Sequence, residues 1–460
     1  MYFKKDLEEE NLKKLIRDDF EARANMKKEG LIFIGKFVAV FAITFAILVL
    51  VLFGSFALPI DSQVYKNVDK STTGAYKAWD TEQRGNLDQF TNDIFVLGIM
   101  RSTTSKHPIF SAINDPNHPF DDTLYNGNLV ELAKNQDVSE SYGQYWHGWA
   151  SWLRPMLAVF TYQQIQIVYG IIFYAMLGFI LFLMYKRKML LYGAFLVLAF
   201  LVMSITTLYL SHSFFLPIIV SLVSMVYILL KSDNDKFVKH LSFVFLVIGM
   251  LTSYVEILAY PVATYVFSAT MVFLILRNEK FKGLGFIKNA LILLKTGVSW
   301  IIGYAVFWVS KWVFFSSLIS AQRLAESFTH VAKYTGSDGL WATLKMMFTY
   351  TFGGAGTAML IICLVTIVAI LVYSIIYREK YPVLFPLTFL AAVPIIWLGM
   401  TQTNANIHPY IIYKTVGILF FPWGCIVTIT VMDVIKRLRM KPVIGDGKMP
   451  AKKSVKKLTK

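Results

Sequence analysis

FIGKFVAVFAITFAILVLVLFGSFA, residues 33–57, decides the fold: Lys36 is its only charged residue. About 20 such residues cross the roughly 30 Å hydrocarbon core of a bilayer as a helix. The chain then turns polar from Asp61 to Arg154, with 12 acidic and 8 basic side chains, although the whole protein carries 45 Lys+Arg against 29 Asp+Glu. Beyond Arg154 the apolar runs resume, and the chain is 56% hydrophobic with a mean hydropathy of +0.54. A soluble core does not need this many long uncharged runs. The reading is an all-α polytopic membrane protein with a large first extracellular loop at 58–155.

About ten spans are expected, at 33–57, 163–185, 190–210, 213–230, 241–258, 260–276, 290–313, 356–377, 382–400 and 410–432. The connectors near Lys186, Lys231, Arg277 and Arg378, and the tail from Lys436, hold most of the Lys and Arg, which fixes that side as cytoplasmic. Three regions follow: a cytoplasmic amphipathic segment at 1–32, a membrane domain at 33–435, and a basic cytoplasmic tail at 436–460 drawn to anionic lipid. Segments 153–165 and 318–333 are expected to lie along the membrane surface. This pattern places the protein in the cell membrane, and the basic surplus is an orienting charge rather than a nucleic-acid surface.

Groups able to do chemistry gather on the predicted outer side. LDQFTND, residues 87–93, leads into an apolar run, and Asp93 or Asp88 there can act as a general base if partly desolvated. Asp93 or Thr91 can equally cap the helix that follows. Tyr145, Trp146, His147 and Trp149 form the densest aromatic cluster, suited to stacking on sugar rings or to the membrane interface. Arg154 suits a phosphate or a lipid headgroup. Glu256 lies near the outer end of the fifth span. Lys311 shares a face with Tyr304, Trp308 and Trp312 at the outer end of the seventh, where it can bind an anion or reach the headgroups. Lys414 lies one turn inside the tenth span, so it faces a polar cavity or an anionic ligand. His408 sits just before it, as a proton carrier or an interfacial side chain.

Other chemistries find no pattern. The chain has no phosphate-cradling loop and no HExxH, and Gly353-Gly354-Ala355-Gly356 is not followed by Lys-Ser/Thr. Cys363 and Cys425 lie in apolar runs as packing residues. His118 with Asp121 and Asp122 reads as a solvated turn, so no metal ligands are assigned.

The LDQFTND segment, YWHGW with LRP, TSYVE followed by Pro261, GYAVFWVSKW and the late Asn, His and Tyr-Lys stretch together resemble polytopic GT-C glycosyltransferases of Gram-positive bacteria. The likeness covers most of the chain. Glu256 stands where such proteins carry Asp, and Lys414 where they tend to carry Arg. The resemblance implies an inverting transfer of a sugar from an undecaprenyl-phosphate or similar polyprenyl-phosphate donor to a cell-wall polysaccharide or teichoic acid outside the membrane. It implies Asp93 or Asp88 as base, Arg154, Lys311 and Lys414 on the donor phosphate, and Tyr145, Trp146, His147, Trp149, Glu256 and His408 on sugar and acceptor. Members differ in needing a divalent cation, magnesium or manganese. The rival expectations are a lipid-linked-sugar transporter or flippase, which lacks the inverted repeat of that class here, and a non-catalytic scaffold of a wall-assembly complex.

Overall fold

In hydrocarbon a backbone must satisfy its own polar groups, which leaves helix as the solution for each long apolar run. The computed structural model describes residues 2–72, 95–101, 107–114, 116–117, 140–141, 143–281, 283–318, 320–334 and 339–439. Seven segments are long and apolar enough to cross a membrane: Lys27–Ala57, Tyr162–Lys186, His212–Lys231, Phe237–Val255, Phe286–Leu318, Leu340–Ile376 and Pro409–Arg439. Three shorter apolar helices, Leu190–Val202, Val262–Leu276 and Leu384–Met400, complete a helical membrane protein.

In chain order, α1 is Tyr2–Ala57, so the segment before residue 33 and the first span form one helix. The polar stretch contributes α2 (Asp61–Thr72), α3 (Phe95–Arg101), α4 (Pro108–Asn114) and α5 (Ala150–Val159). A two-residue antiparallel pairing joins Pro116–Asn117 to Glu140–Ser141. Next come α6 (Tyr162–Lys186), α7 (Leu190–Val202), α8 (His212–Lys231), α9 (Phe237–Val255), α10 (Val262–Leu276) and α11 (Phe286–Leu318). The chain closes with α12 (Gln322–Tyr334), α13 (Leu340–Phe352), α14 (Gly356–Ile376), α15 (Leu384–Met400), α16 (Gln402–Ile407), α17 (Pro409–Ile412) and α18 (Lys414–Arg439).

Burial follows length. α1 exposes Leu31, Phe33, Val38, Ile43, Ile47 and Leu50 as an apolar outer stripe. All residues of α10 are buried, and it packs on α8, α15 and α18. At 1.5 Å per residue its 15 residues reach about 22 Å. A helix sheathed by protein has no hydrocarbon thickness to match, which lets α10 be short. The expected span at 190–210 is helical only to Val202, and 203–211 form an irregular return.

The broadest helix contact is α9 on α11. Two glycines permit it: a Cβ on Gly249 would lie 2.2 Å from the Trp300 carbonyl oxygen, and one on Gly303 would lie 2.2 Å from that of Leu246. Small residues at a crossing bring backbones together where apolar burial alone gives no drive between helices.

The helix ends sort into two groups. At the basic end Arg187 grips Asp233 through both guanidinium nitrogens at 2.9 and 2.7 Å, and Lys280 pairs with Asp235 at 3.0 Å. Buried Asp433 gathers Lys380 at 3.0 Å and Arg437 at 2.7 Å, together with the hydroxyls of Tyr373 and Tyr381. These bonds tie the α6–α7, α8–α9, α10–α11 and α14–α15 connectors and the end of α18 into one basic end.

The close glycine crossing makes a specific prediction. Gly249→Ala and Gly303→Ala should each destabilise the protein by about 1–3 kcal/mol, because backbone cannot swing aside as a side chain can. Gly178→Ala, whose Cβ meets nothing within 4 Å, should not. Thermal unfolding in detergent reads this, and a Gly303→Ala protein that melts with the wild type would contradict the contact.

Candidate functional site

The end opposite the basic turns is built from irregular backbone at 143–149, 203–211 and 256–261 and from the short helices α16 and α17. Three residues there take left-handed φ, His147 at 46°, Ser204 at 61° and Leu258 at 69°. A leucine in that region is strained and persists only where its surroundings hold it. Glu256 supplies that hold, accepting the Leu258 N–H at 2.5 Å and the Tyr260 N–H at 2.8 Å. Asn404 donates to the Leu258 carbonyl at 3.0 Å, and the Tyr260 hydroxyl donates to the Phe214 carbonyl. The turn is thus locked to α8 and α16.

Lys414 opens α18 and is fully buried. Its ammonium donates to the Tyr413 hydroxyl at 2.6 Å and to Thr207 Oγ1 at 3.0 Å. It also sits 4.3 Å from the ring centroids of Phe214 and Tyr413. Tyr413 in turn donates to Ser204 at 2.9 Å. No carboxylate pairs with Lys414 among the described residues. Desolvating an ammonium costs several kcal/mol. Hydroxyls and aromatic faces offset part of that at about 1.5–3 and 2 kcal/mol apiece, but they leave the charge itself unneutralised.

His212, the first residue of α8 and two residues before Phe214, is fully buried. Its Nδ1 shares a hydrogen bond with the Tyr169 hydroxyl at 2.9 Å, and its backbone N–H donates to the Tyr162 hydroxyl at 2.9 Å. Trp149 meets the imidazole edge-on at 5.2 Å and Tyr169 stacks on it at 5.6 Å. Its Nε2 has no partner among the described residues.

The expected site residues separate by what they touch. Arg154 is 1% exposed, bonds Asp61 at 2.6 Å and the Ser55 carbonyl at 3.3 Å, and stacks on Phe56. It fastens α5 to the α1–α2 corner. Lys311 donates to the carbonyls of Ile113 at 2.8 Å and Ala112 at 3.3 Å, holding the C-terminal end of α4, where a cation suits the helix dipole. Trp146 donates to the Phe307 carbonyl at 2.7 Å, and Tyr145 stacks on Trp308 at 5.5 Å. Gly148 donates to the Tyr254 carbonyl at 2.7 Å. With His147 and Trp149 buried as well, this segment is a packed wall beside His212. His408 is half-buried and lies 3.3 Å from the Tyr410 hydroxyl. Asp88 and Asp93 lie outside the described residues. Among the described residues no group of three His, Cys, Asp or Glu could hold a metal ion.

Sequence reasoning passed over Thr207, Ser204 and the Ser211-His212-Ser213 triplet. The triplet carries a signal: three polar residues between apolar runs, at the start of a span, with nothing local to pair with.

Burial pushes the Glu256 carboxyl up to about 7, against the amides of Tyr260, Leu258 and Ala259, which pull it down. The unfolded chain releases this proton near the ordinary value of 4.5 and the folded protein near 7. Folded protein therefore binds the extra proton in that window, and stability should fall as pH rises from about 4.5 to about 7. Glu256→Gln should flatten that slope in a melting-temperature series, from a baseline lowered by about 1–3 kcal/mol, since the amide serves one loop N–H instead of two. Equal slopes in the two proteins would refute the titration. No protein-family model, curated protein or solved structure matches this chain.

Proposed function

We propose that this protein is a ten-span GT-C-like membrane glycosyltransferase whose basic end is cytoplasmic and whose opposite end works outside the membrane. The orientation rests on the positive-inside rule applied to the connectors at Arg187, Lys231, Arg277 and Arg378. The donor is a polyprenyl-phosphate-linked sugar and the acceptor a hydroxyl of a cell-wall glycan or teichoic acid.

A carboxylate of the 61–154 stretch, Asp93 first and Asp88 second, removes the acceptor's hydroxyl proton. The freed oxygen bonds to the anomeric carbon from the face opposite the phosphate. The bond from that carbon to the phosphate oxygen breaks, and polyprenyl phosphate leaves with the electron pair. A fixed cation at the departing phosphate stabilises the charge that develops there. Lys414 takes that role, because its ammonium is buried with no described carboxylate. That is the observation carrying the reading. Arg154 and Lys311 hold the extracellular stretch against the spans, and the 145–149 segment with Glu256 and His408 shapes the groove for sugar and acceptor.

Transfer from a polyprenyl-phosphate sugar to wall glycan in proteoliposomes tests this. Lys414→Met should lower kcat/KM by about 10²–10³, and Asp93→Asn should lower it by at least as much. Wild-type turnover by Lys414→Met, or by both Asp93→Asn and Asp88→Asn, would remove these assignments.

A further inference from the structure

Arg154, Lys311 and Lys414 are all occupied within the fold, by a carboxylate, by carbonyls and by hydroxyls. Lys66 and Lys70 of α2 are not. Both are exposed, and neither has an ion pair or hydrogen bond among the described residues. The 61–154 stretch around them holds 12 acidic and 8 basic side chains, so the pair is a local feature rather than part of a general basic surface.

The inner face of α2 fixes the helix in place. Val64, Val68 and Ser71 are buried. Asn67 donates to the Leu157 carbonyl at 2.8 Å, the Tyr162 amide donates to Ser71 Oγ at 2.8 Å, and Gln163 donates to the Ser71 carbonyl at 2.7 Å. Asp61, at the first turn, is held by Arg154 at 2.6 Å. A helix tied at both ends presents its other face at fixed spacing. On that face Ser62, Tyr65, Lys66, Asp69 and Lys70 fall at i, i+3, i+4, i+7 and i+8 and line an open cleft of about 780 Å³. Lys66 and Lys70 are thus about one turn apart, roughly 6 Å along the axis.

The open face is polar. The exposed residues described on α2 are Asp61, Ser62, Gln63, Lys66 and Lys70. Helices of this protein that meet lipid do the opposite, since α1 exposes Leu50 and Val51 and α6 exposes Ile167 and Ile171. A helix lying in the membrane interface needs an apolar face for the acyl boundary. α2 therefore turns its lysines to water. Two cations in a cleft draw an anion, and their one-turn spacing suits consecutive charges along a chain better than one isolated group. Tyr65 adds a ring suited to a sugar face, and Ser62 and Asp69 add groups that bond hydroxyls.

We propose that this face of α2 is the docking site for a water-borne anionic glycan, a polymer whose units are joined by phosphodiesters, with Lys66 and Lys70 on successive phosphates. The site rests on the outward orientation of this end. It deepens the transferase reading by giving the acceptor a charge class and a second point of contact beyond the groove.

Binding to the full chain in phosphatidylcholine nanodiscs tests the site, with a fluorescent poly(glycerol phosphate) oligomer as probe, a dextran oligomer as neutral control and anisotropy as readout. The phosphate polymer should bind saturably and more weakly as salt rises, and dextran should not bind. Lys66→Gln and Lys70→Gln should each weaken binding by about threefold and together by about tenfold. Melting should stay unchanged, because both side chains are exposed. Wild-type affinity in the double variant, or equal affinity for dextran, would overturn the site. So would stabilisation by phosphatidylglycerol nanodiscs that the double variant loses, with no polymer bound in phosphatidylcholine, which assigns the lysines to lipid headgroups. A protein that binds the polymer but transfers no sugar keeps the site and loses the transferase reading. Sugar transfer to the polymer by the double variant at an unchanged KM does the reverse.

Discussion

Irregular backbone buried among helices has to find its hydrogen bonds in side chains, and the non-basic end of this protein depends on that requirement. The side chains there reach backbone again and again. Glu256 takes the Leu258 and Tyr260 amides, and Asn404 takes the Leu258 carbonyl. Trp308 and Trp312 share the Gln144 carbonyl at 2.7 and 2.9 Å, and Gln166 takes that of Leu210 at 2.5 Å. Arg154 and Lys311 do the same for Ser55, Ala112 and Ile113. Lys414 departs from the pattern, with hydroxyls and rings as its partners. That contrast sets Lys414 apart from the cations that hold backbone carbonyls.

The same contrast explains what was legible in the sequence. Apolar run length located the helices, because a hydrocarbon environment admits little else. It missed the end of α7 at Val202, since 203–210 stay apolar enough to continue a span while Ser204 turns left-handed. It also divided α1 from its charged N-terminal part, although the helix runs unbroken from Tyr2 to Ala57. Charge changes the solvent a helix faces and leaves its backbone bonds intact.

The flags raised by burying charge fell on Arg154, Glu256, Lys311 and Lys414, all of which the fold buries. They could not rank Arg154, Lys311 and Lys414, because a cation satisfied by carbonyls and a cation without a counter-charge look alike in one dimension. The aromatic cluster at 145–149 was visible as composition, whereas its packing into α11 through Trp308 depends on residues 164 positions apart. His212 was hidden for a related reason. Its aromatic box comes from Trp149, Trp152 and Tyr169, which only the fold assembles.

The protein therefore has two unlike ends joined by close-packed helices. At the basic end Asp433 pairs with Lys380 and Arg437, and Asp233 takes Arg187 on its carboxylate and Lys280 on its backbone carbonyl. At the opposite end Lys414, beside Phe214 of α8, has no carboxylate among the described residues. Electron cryomicroscopy of the protein purified from its own membrane into nanodiscs tests that claim most directly. The account predicts tetrahedral density within about 3 Å of Lys414 Nζ, against the first turn of α8. A Lys414 ammonium closed instead on a carboxylate of the protein's own 73–94 segment would contradict it.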